Sequence, residues 1–299
     1  MEKQPAVCVV GSINIDMVTT AKEFPEQGET VLGGEFKTYH GGKGANQAIA
    51  AARLGAEVTM IGAVGDDQFG KDILQNFRAE GVHEEAISVI PKTSTGIATI
   101  ILSEGDNRII VSPGANSKLT PEIIATSREI LMKSDIILLQ LEIPMETVRY
   151  TVDFAYEHHI PVVINPAPFQ KIPEDILKKV TYLTPNELEH TSLAELPFYR
   201  SMKDKAIITK GGDGVEYETS AGKKIEIPSY QVNVKDTTGA GDTFNGALVT
   251  EIASGSSIEQ AIKFANAAAA LSVERVGAQG GMPTREEVLG FINKQESVS

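Results

Sequence analysis

The sequence predicts an α/β protein with a mostly parallel sheet that is covered by helices on both faces. The first observation is a series of short apolar runs without the polar alternation of strands that face water on one side, as expected of buried parallel strands. The second is that helical patterns separate these runs, so that strands and helices alternate along the chain. The predicted strands are 7–10, 58–61, 136–139, 162–164 and 206–208, and the predicted helices are 45–54, 69–80, 123–131, 147–158 and 258–271.

Local signals mark the beginning of two of these helices. Thr120 and Pro121 provide a cap and a first-turn proline before the helix predicted at 123–131. Ser256 and Glu259 have the spacing of a capping box before the helix at 258–271.

Two segments interrupt the alternation and are predicted to add β-structure to the sheet domain. One extends from residue 28 to residue 39. The other contains two β-like runs, 95–102 and 108–111, joined by a turn at 104–107 that is rich in Gly, Asp and Asn. Together they predict a small β-sheet lid, inserted at about residues 13–40 and 95–112 into a single domain that spans residues 1–299.

Composition excludes several classes of protein. A formal charge of −13 disfavours a nucleic-acid surface, which needs clustered Lys and Arg. No run approaches the ~18 apolar residues of a membrane helix, and the first residues lack an apolar signal-peptide core, so we expect a cytoplasmic protein. The single cysteine, Cys8, lies within an apolar run and is interpreted as strand packing.

The segment 236–244, DTTGAGDTF, gives the strongest indication of chemistry. Gly239, Ala240 and Gly241 are small enough to let a phosphate approach a helix N-terminus, where unpaired N–H groups and the helix dipole bind anions. Asp242 stands beside them as a candidate base, so the segment suggests phosphoryl transfer to a hydroxyl. The alternative is a glycine turn into a helix, with Asp242 as an ordinary first-turn acid.

A second glycine-rich segment, 41–48 (GGKGANQA), also begins a helix. Lys43 is followed by Gly and not by Ser or Thr, which excludes a Walker phosphate-binding loop. Gly42 favours close backbone approach to a small polar ligand, while Lys43 and Asn46 offer hydrogen-bond donors and an acceptor to hydroxyl groups. A purely structural turn is the alternative.

Further polar residues follow two of the predicted strands. Asn14 and Asp16 come after the first strand, and Glu142 comes after 136–139. Because ligands of open α/β sheets bind outside the carboxyl ends of the strands, these side chains are predicted to converge on one rim. An Asx turn is the alternative for Asn14 and Asp16.

Two other enzyme classes have little support. No Gly-x-Ser-x-Gly segment indicates a serine hydrolase. The glycines at 211–214 lack the Gly-x-Gly-x-x-Gly spacing of a dinucleotide-binding oxidoreductase.

Taken together, these motifs resemble those of the ribokinase-like carbohydrate kinases. The resemblance covers nearly the whole chain, and its two signatures, near the N-terminus and around Asp242, are specific when found together at this separation. It implies a three-layer α/β/α core with a mostly parallel central sheet and a small β-sheet lid. It also implies ATP-dependent phosphorylation of D-ribose at O5, giving D-ribose 5-phosphate and ADP. The segments that match are 9–16, 41–46, 184–187, 208–212 and 236–242.

The resemblance also implies roles for individual residues. Asp242 would be the base, and Gly239, Ala240 and Gly241 would form the anion hole. The sugar would be bound by Asn14, Asp16, Gly42, Lys43, Asn46, Glu142 and Asp242. ATP would be bound by Asn186, Thr209, Lys210, Gly211, Gly212, Asp213, Gly214, Gly241 and Asn266.

The cofactors implied by the family are Mg²⁺ and a monovalent activator, usually K⁺. Asn186 and Glu189 resemble the element that organises Mg²⁺ and its waters, with Glu189 binding through water. Without the family, a single glutamate at a helix start more often complements the helix dipole. The K⁺ ligands would be carbonyl groups of Asp236, Thr238, Ser272, Arg275 and Gly277, while a sixth position, commonly a serine, falls on Gly281 and lacks the hydroxyl.

A second departure from the family lies at 188–204, where a shortened crossover containing Pro197 predicts an abbreviated or irregular helix. The partners implied are a small sugar and ATP, with a homodimer formed through the lid, whose exposed strand edges favour pairing. The alternatives are a kinase for deoxyribose, another small sugar or a nucleoside, and a catalytically silent sugar-binding regulator.

Overall fold

The computed structural model describes residues 4–103 and 105–297. Glu104, in the predicted lid turn, lies outside these residues, as do the ends of the predicted domain at 1–3 and 298–299. The strands are β1 (Ala6–Val10), β2 (Asn14–Ala21), β3 (Gly33–Gly41), β4 (Glu57–Gly65), β5 (Val82–His83), β6 (Ile87–Ile90), β7 (Gly96–Ser103), β8 (Asp106–Ser112), β9 (Ile136–Leu139), β10 (Val162–Ile164), β11 (Tyr182–Leu183), β12 (Ile207–Thr209), β13 (Val215–Glu218) and β14 (Lys224–Ile227). The helices are α1 (Lys43–Arg53), α2 (Gln68–Ala79), α3 (Pro121–Ala125), α4 (Arg128–Lys133), α5 (Met145–Glu157), α6 (Glu174–Lys179), α7 (Glu187–Ala194), α8 (Ala240–Ala253), α9 (Ile258–Ser272), α10 (Ala278–Gly281) and α11 (Arg285–Glu296), with 3₁₀ turns at Gly114–Lys118, Tyr199–Lys205 and Gly211–Asp213.

The central sheet is parallel and buried on both faces. Its strand order is β11-β10-β9-β1-β4-β5, and β6 also pairs with β4. Successive residues of β1 alternate between two cores: Cys8 and Val10 pack in one, and Val7 and Val9 pack in the other. Helix α5 covers the first core, and α1 and α2 cover the second. The apolar runs without polar alternation therefore correspond to strands with a core on each side.

A separate small sheet has the strand order β3-β2-β7-β8. The segment predicted at 28–39 corresponds to β3, and the segment predicted at 95–111 corresponds to β7 and β8. Strand β2 precedes the first segment and was not predicted as a strand, although it lies within the approximate lid bounds of 13–40. β2 and β7 pair in parallel, whereas β2 with β3 and β7 with β8 are antiparallel. We call this sheet the lid.

A third, antiparallel sheet has the order β12-β13-β14. Parallel bridges from Leu183 to Ala206 and from Asn186 to Thr209 connect it to the end of the central sheet. The strand predicted at 206–208 is therefore shifted by one residue and belongs to this sheet. Strands β13 and β14 were not predicted, since their alternating polar residues lack the continuous apolar run of a buried strand.

Two helix predictions need correction. The helix predicted at 123–131 is two short helices, α3 and α4, because the Thr126 hydroxyl donates to the Ile123 carbonyl at 2.7 Å and the chain turns at Ser127. The capping box of α9 is formed by Ser257 and Gln260, one residue later than predicted. Ser256 instead donates to the Glu251 carboxylate at 2.7 Å.

Other features agree with the sequence. Cys8 is fully buried, and burial raises the pKa of its thiol to about 12, as expected of a packing residue. The crossover after β11 contains the short α7 followed by a 3₁₀ turn, in agreement with the abbreviated, irregular helix predicted there. Among the described helices, none combines the length and apolar character needed to cross a bilayer.

Candidate active site

Helices α1 and α8 cross at very close range, and this crossing positions Asp242. A Cβ at Gly246 would lie only 2.7 Å from the Cβ of Ala50 and 2.8 Å from the nitrogen of Ala51, so the backbones meet at a residue without a side chain. One turn earlier on the same face of α8, Asp242 meets the first turn of α1. There the amide nitrogens of Asn46 and Gln47 donate to its two carboxylate oxygens, each at 3.0 Å.

Asp242 is a buried carboxylic acid whose pKa is raised above its ordinary value. Burial raises its pKa, and the Lys43 ammonium and the hydrogen bonds from Asn46 and Gln47 oppose this shift by favouring the charged form. Such a carboxylate is a stronger base than an exposed one, and it is held in a fixed direction by two donors. It fits the role of general base.

Other charged groups face the same cleft. Burial, together with the charges of Glu142 and Asp242, raises the pKa of Asp16 to about 6, whereas Lys43 lowers it. Glu142 accepts hydrogen bonds from the Ser12 hydroxyl at 2.5 Å and from the Lys43 backbone at 3.3 Å. The structure therefore brings Asp16, Lys43, Glu142 and Asp242 to one rim.

A glycine brings the start of α1 close to the chain that leads into β2. Gly42 precedes α1 with φ = 90°, and a Cβ on it would lie 2.7 Å from the Asn14 nitrogen. Asn14 is buried, and its side-chain oxygen accepts a hydrogen bond from Asn116 at 2.8 Å. Asn116 also accepts from the Ile13 backbone at 2.9 Å and was missed by the sequence analysis, because nothing in its local sequence places it near Asn14.

The anion hole predicted at 239–241 lies at the N-terminus of α8. Gly239 adopts the left-handed conformation at φ = 80°, and a Cβ on it would lie 2.8 Å from Ala278. Around Gly241 a Cβ would meet nothing within 4 Å, so its backbone is open to a ligand. The start of α8, where first-turn N–H groups lack partners within the helix, therefore lies next to Asp242. Of these groups, the Ala240 N–H donates to the Thr237 carbonyl oxygen at 3.2 Å.

A cavity of about 270 Å³ adjoins this helix start. Its walls include Ala240 and Gly241 of α8 and residues of the turn after β12. Of the positions predicted to bind ATP, the cavity is lined by Thr209, Gly211, Gly212, Gly214, Gly241 and Asn266. Apolar residues such as Phe244 and Val273 complete a surface suited to a flat ring system.

Three predicted nucleotide positions have other contacts. The Lys210 ammonium pairs with Glu216 at 2.6 Å. Asn186 caps α7 and lies beside Thr209 through a parallel bridge. The side-chain amide of Asn266 donates to the carbonyl oxygens of Ile227 and Pro228, at 3.3 and 3.2 Å. Asp213 lies in the exposed 3₁₀ turn between Thr209 and Gly214.

Comparison with known proteins agrees with this arrangement. The pfkB family carbohydrate kinase pattern matches residues 4–285. The chain belongs to this family of carbohydrate kinases. It is 48% identical over 286 residues to a ribokinase of Bacillus subtilis, covering 94% of this chain and 97% of the relative, and 44% identical over 296 residues to a ribokinase of Lactococcus lactis, covering 97% and 98%. It also resembles the structure of Arabidopsis thaliana ribokinase complexed with ribose and ATP, with a TM-score of 0.90, 31% identity, and coverage of 97% of this chain and 99% of the other.

The carbohydrate kinase places Glu189 at the start of α7. Its carboxylate accepts the Asn186 backbone N–H at 2.9 Å, while the Asn186 side chain accepts the Glu189 N–H at 2.8 Å. Burial raises the pKa of Glu189, and Lys43 lowers it. The pair is thus a capping box, which was not predicted, and Glu189 lies in the first turn of α7, where the sequence-based alternative of an acid that complements the helix dipole placed it. The carboxylate also lies within the electrostatic reach of Lys43.

The residues predicted to hold a monovalent cation lie where α8 begins and α9 ends. The Asp236 carboxylate accepts the backbone N–H groups of Thr238 at 2.9 Å and Gly277 at 2.8 Å, which holds the two segments together. Partial burial would raise the pKa of Asp236, but these hydrogen bonds outweigh it and keep the pKa below its ordinary value. A Cβ on Gly281 would overlap the Ser272 carbonyl oxygen and lie 3.6 Å from that of Arg275.

A buried amide network behind Asp242 was also missed by the sequence analysis. Gln47 donates to Asn165 at 3.2 Å as well as to Asp242, and it accepts from Gln140 at 2.6 Å. Asn165 donates in turn to the Thr184 carbonyl at 3.0 Å. Gln47 lies beside Asn46 in the glycine-rich segment, so the signal was present in the motif. Gln140 and Asn165 directly follow the buried strands β9 and β10, which is the positional signal that could have identified them.

Proposed function

We propose that this carbohydrate kinase transfers the terminal phosphoryl group of ATP to the O5 hydroxyl of D-ribose, giving D-ribose 5-phosphate and ADP. The observation that carries the proposal is the N-terminus of α8, which joins the cavity at Gly241 to the buried carboxylate of Asp242. A nucleotide in that cavity and a sugar at the charged rim would meet at this one helix start. The ribokinases to which the chain is similar support the choice of sugar.

The sugar would lie against the rim formed by α1, β2 and the end of β9. Carboxylates accept hydroxyl protons, and amides and ammonium groups donate to hydroxyl oxygens, so this mixture suits a polyol. Gly42 would let a hydroxyl approach the backbone, and the lid would cover the sugar and exclude water that would otherwise hydrolyse ATP. The residues assigned to this role are Asn14, Asp16, Gly42, Lys43, Asn46, Glu142 and Asp242.

Asp242 would accept the O5 proton as the oxygen attacks the terminal phosphorus in line. The bond from that phosphorus to the bridging oxygen of ADP breaks, and ADP leaves with the electron pair. Backbone N–H groups at Gly239, Ala240 and Gly241 would stabilise the charge on the transferring group. General base catalysis of this kind contributes typically ~10²–10⁴-fold to the rate.

The nucleotide would be held mainly by backbone groups, because the chain is acidic overall. Glycines of the turn after β12 and of the start of α8 line the cavity and would let a nucleotide approach the backbone. The residues assigned to ATP are Asn186, Thr209, Lys210, Gly211, Gly212, Asp213, Gly214, Gly241 and Asn266. Lys210 would have to leave Glu216 to reach a phosphate.

Magnesium fits Glu189, whose carboxylate is a hard oxygen donor buried near Lys43. Within 4–103 and 105–297, no group of three or more His, Cys, Asp or Glu forms a metal cage. The ion would thus be held by ATP phosphates and by Glu189 through water. When bound, it supplies positive charge to the phosphate oxygens.

Potassium fits the carbonyl groups at the end of α9. The Ser272 and Arg275 carbonyl oxygens lie near Gly281, and Asp236 fixes the backbone of Thr238 and Gly277 beside them. Gly281 would contribute no side chain. A bound cation supplies a fixed charge next to the anion hole and would not touch the sugar.

We also propose that the chain forms one domain with an inserted lid and that two copies associate through that lid. Because the reaction consumes ATP, we propose a cytoplasmic location. The dimer and the cytoplasmic location are not needed for the chemistry at Asp242.

The chemistry is tested by Asp242→Asn, measured by coupled ADP release and by ribose binding in calorimetry. An amide cannot accept the O5 proton, so turnover should fall by about 10²–10⁴-fold while ribose still binds. Asp204→Asn, which changes an exposed aspartate, is the matched control and should keep full turnover. Unchanged turnover in Asp242→Asn would exclude Asp242 as the base.

The choice of sugar is tested in the same assay with ribose, 2-deoxyribose, other small sugars and nucleosides, with and without K⁺. Ribose should give the highest kcat/KM, and K⁺ should increase it. A higher value for another acceptor would reassign the substrate, and ribose binding without ADP release would favour the silent regulator.

A further inference from the structure

Gln279, in α10 between the proposed cation positions Gly277 and Gly281, contacts the active site directly. Its side-chain nitrogen donates to the Asn46 side-chain oxygen at 3.0 Å. Asn46 in turn donates from its nitrogen to Asp242 at 3.0 Å. A residue of α10 is therefore one side chain away from the proposed base.

This contact determines which way the Asn46 amide points. An amide has a donor end and an acceptor end, and only the donor end stabilises a carboxylate. Because Gln279 occupies the oxygen of Asn46 with a donor, the nitrogen of Asn46 faces Asp242. If the Asn46 amide were reversed, its oxygen would face the carboxylate and destabilise the charged form.

The orientation of Gln279 is fixed in the same way. The Asn76 nitrogen on α2 donates to the Gln279 side-chain oxygen at 3.1 Å, which leaves the Gln279 nitrogen for Asn46. Asn76 is itself hydrogen-bonded to the imidazole of His40. We call the ordered set Asn76, Gln279 and Asn46 the amide relay.

Helix α1 also forms hydrogen bonds with the backbone of α10 and of the residue that follows it. Arg53 donates to the carbonyl oxygens of Gln279 at 2.5 Å and Met282 at 3.0 Å, and it forms a bidentate pair with Glu80 at 2.8 and 2.7 Å. Arg53 is seven residues after Asn46, so both lie on one face of α1. The helix therefore contacts the side chain of Gln279 through Asn46 and its backbone through Arg53.

We propose that Gln279 is a positioning residue for phosphoryl transfer: it orients the Asn46 amide toward Asp242 and thereby couples the segment 277–281, which contains α10, to the base. This inference rests on the proposed function for its kinetic consequence. The relay itself is a feature of the protein without substrate.

The decisive variant is Gln279→Glu. A glutamate keeps the acceptor for Asn76 but has no donor for Asn46, so the Asn46 amide should reverse. The groups that face Asp242 besides Asn46 and Gln47 are Lys43 on α1, Asp16 on β2 and Glu142 after β9, and none of them changes. The acid limb of the kcat/KM profile should move to higher pH by about one unit.

The variant Gln279→Met separates the effect of the Asn46 orientation from the effect of the negative charge that Gln279→Glu adds. Methionine cannot donate a hydrogen bond to Asn46 and adds no charge. We therefore expect kcat to fall about tenfold, which corresponds to the loss of one hydrogen bond. The KM for ATP should change little. Gln75→Glu, on the exposed face of α2 next to Asn76, adds the same charge as Gln279→Glu and should leave the rate and pH profile unchanged. Urea unfolding of each variant tests whether it is folded.

A substrate-free measurement distinguishes this inference from the proposed function. The titration midpoint of the Asp242 carboxyl carbon, followed by ¹³C NMR without sugar or ATP, should be higher in Gln279→Glu than in the wild type and in Gln75→Glu. An unchanged midpoint overturns the relay even if the wild type phosphorylates ribose. Absence of ADP release with ribose in the wild type overturns the proposed function, and the midpoint then still decides the relay.

Discussion

Asp16, Glu142 and Asp242 place three carboxyl groups on one cleft, with Lys43 among them. Like charges in a partly desolvated cleft repel each other, so this arrangement costs stability when no sugar is bound. The same groups are acceptors for sugar hydroxyls. The cleft is therefore stabilised by the ligand it is proposed to bind.

This repulsion predicts the effect of Asp16→Asn on stability. Burial and the neighbouring carboxylates raise the pKa of Asp16 from 3.8 to about 6, so its protonated form favours the folded state. That contribution is fully present below pH 3.8 and is lost as the pH rises through about 6. Asp16→Asn should thus stabilise the sugar-free protein at pH 8 by about 1–2 kcal/mol, a value reduced for partial exposure, and the gain should vanish toward pH 4.

Urea unfolding of the wild type and the variant between pH 4 and pH 8 measures this difference. Asp204→Asn removes the same formal charge from an exposed position and corrects for relief of the overall negative charge. Ribose affinity should fall in Asp16→Asn and not in the control. A stability gain that does not depend on pH would show that Asp16 is not part of the repulsive cluster.

At the residue scale, sequence could identify groups whose position follows from topology. Asp16 and Glu142 were predicted because the carboxyl ends of parallel strands share one edge of a sheet. Gln47 and Gln279 were not, because the role of a buried amide depends on which neighbours occupy its oxygen and nitrogen. Those neighbours lie on other elements, more than 90 residues away for Gln47 and more than 200 for Gln279.

At the scale of elements, close backbone contacts set the geometry of the site. Gly246 allows α8 to lie against α1, and Gly239 allows α8 to begin against Ala278 of α10. Gly281 allows α10 to lie against the carbonyl end of α9. These contacts could not be predicted from the presence of the glycines, because the sequence around a helical glycine does not show whether another element packs against it.

The contact at Gly281 predicts that Gly281→Ser, which introduces the residue common in the family, is unfavourable in this chain. The added Cβ would overlap the Ser272 carbonyl oxygen, so α10 would have to move, at a cost of about 1–3 kcal/mol. The movement should also change the response of turnover to K⁺, because Ser272 and Gly277 carry proposed ligands.

Gly280→Ser is the matched control, because a Cβ at Gly280 meets nothing within 4 Å. Urea unfolding with and without KCl should show a loss for Gly281→Ser alone. Equal stability of the two variants would mean that α10 does not approach α9 as closely as described.

Helices and strands were predicted most accurately where a single sequence pattern, such as a continuous apolar run, determined the structure. The buried strands β9 and β10 were predicted from continuous apolar runs with matching bounds, and β1 begins one residue before its predicted run. Helices α3 and α4 read as one helix because the buried Ile124 and Leu131 maintain the helical spacing across the turn at Thr126 and Ser127. Side-chain hydrogen bonding at that turn, and not hydrophobic periodicity, ends the first helix.

At the scale of the whole molecule, the lid differs from the core in what it exposes. The cores on both sides of the central sheet are closed by helices, whereas the edge strands β3 and β8 of the lid are exposed along most of their length. They carry large apolar side chains, including Phe36 at 60% and Ile110 at 67% exposure. Exposed edges and apolar groups are typical of surfaces that pair with another chain.

These features predict that the wild type is a dimer at micromolar concentration and that Ile110→Asp is a monomer. A carboxylate on β8 would have to be desolvated in a lid-to-lid interface, whereas in a monomer it would remain in water. Leu188→Asp makes the same kind of change at a side chain that is 81% exposed on α7, and it should leave the dimer intact. Sedimentation velocity measures all three proteins. A wild type that sediments as a monomer would exclude the dimer, and a dimer that persists in Ile110→Asp would place the interface outside β8.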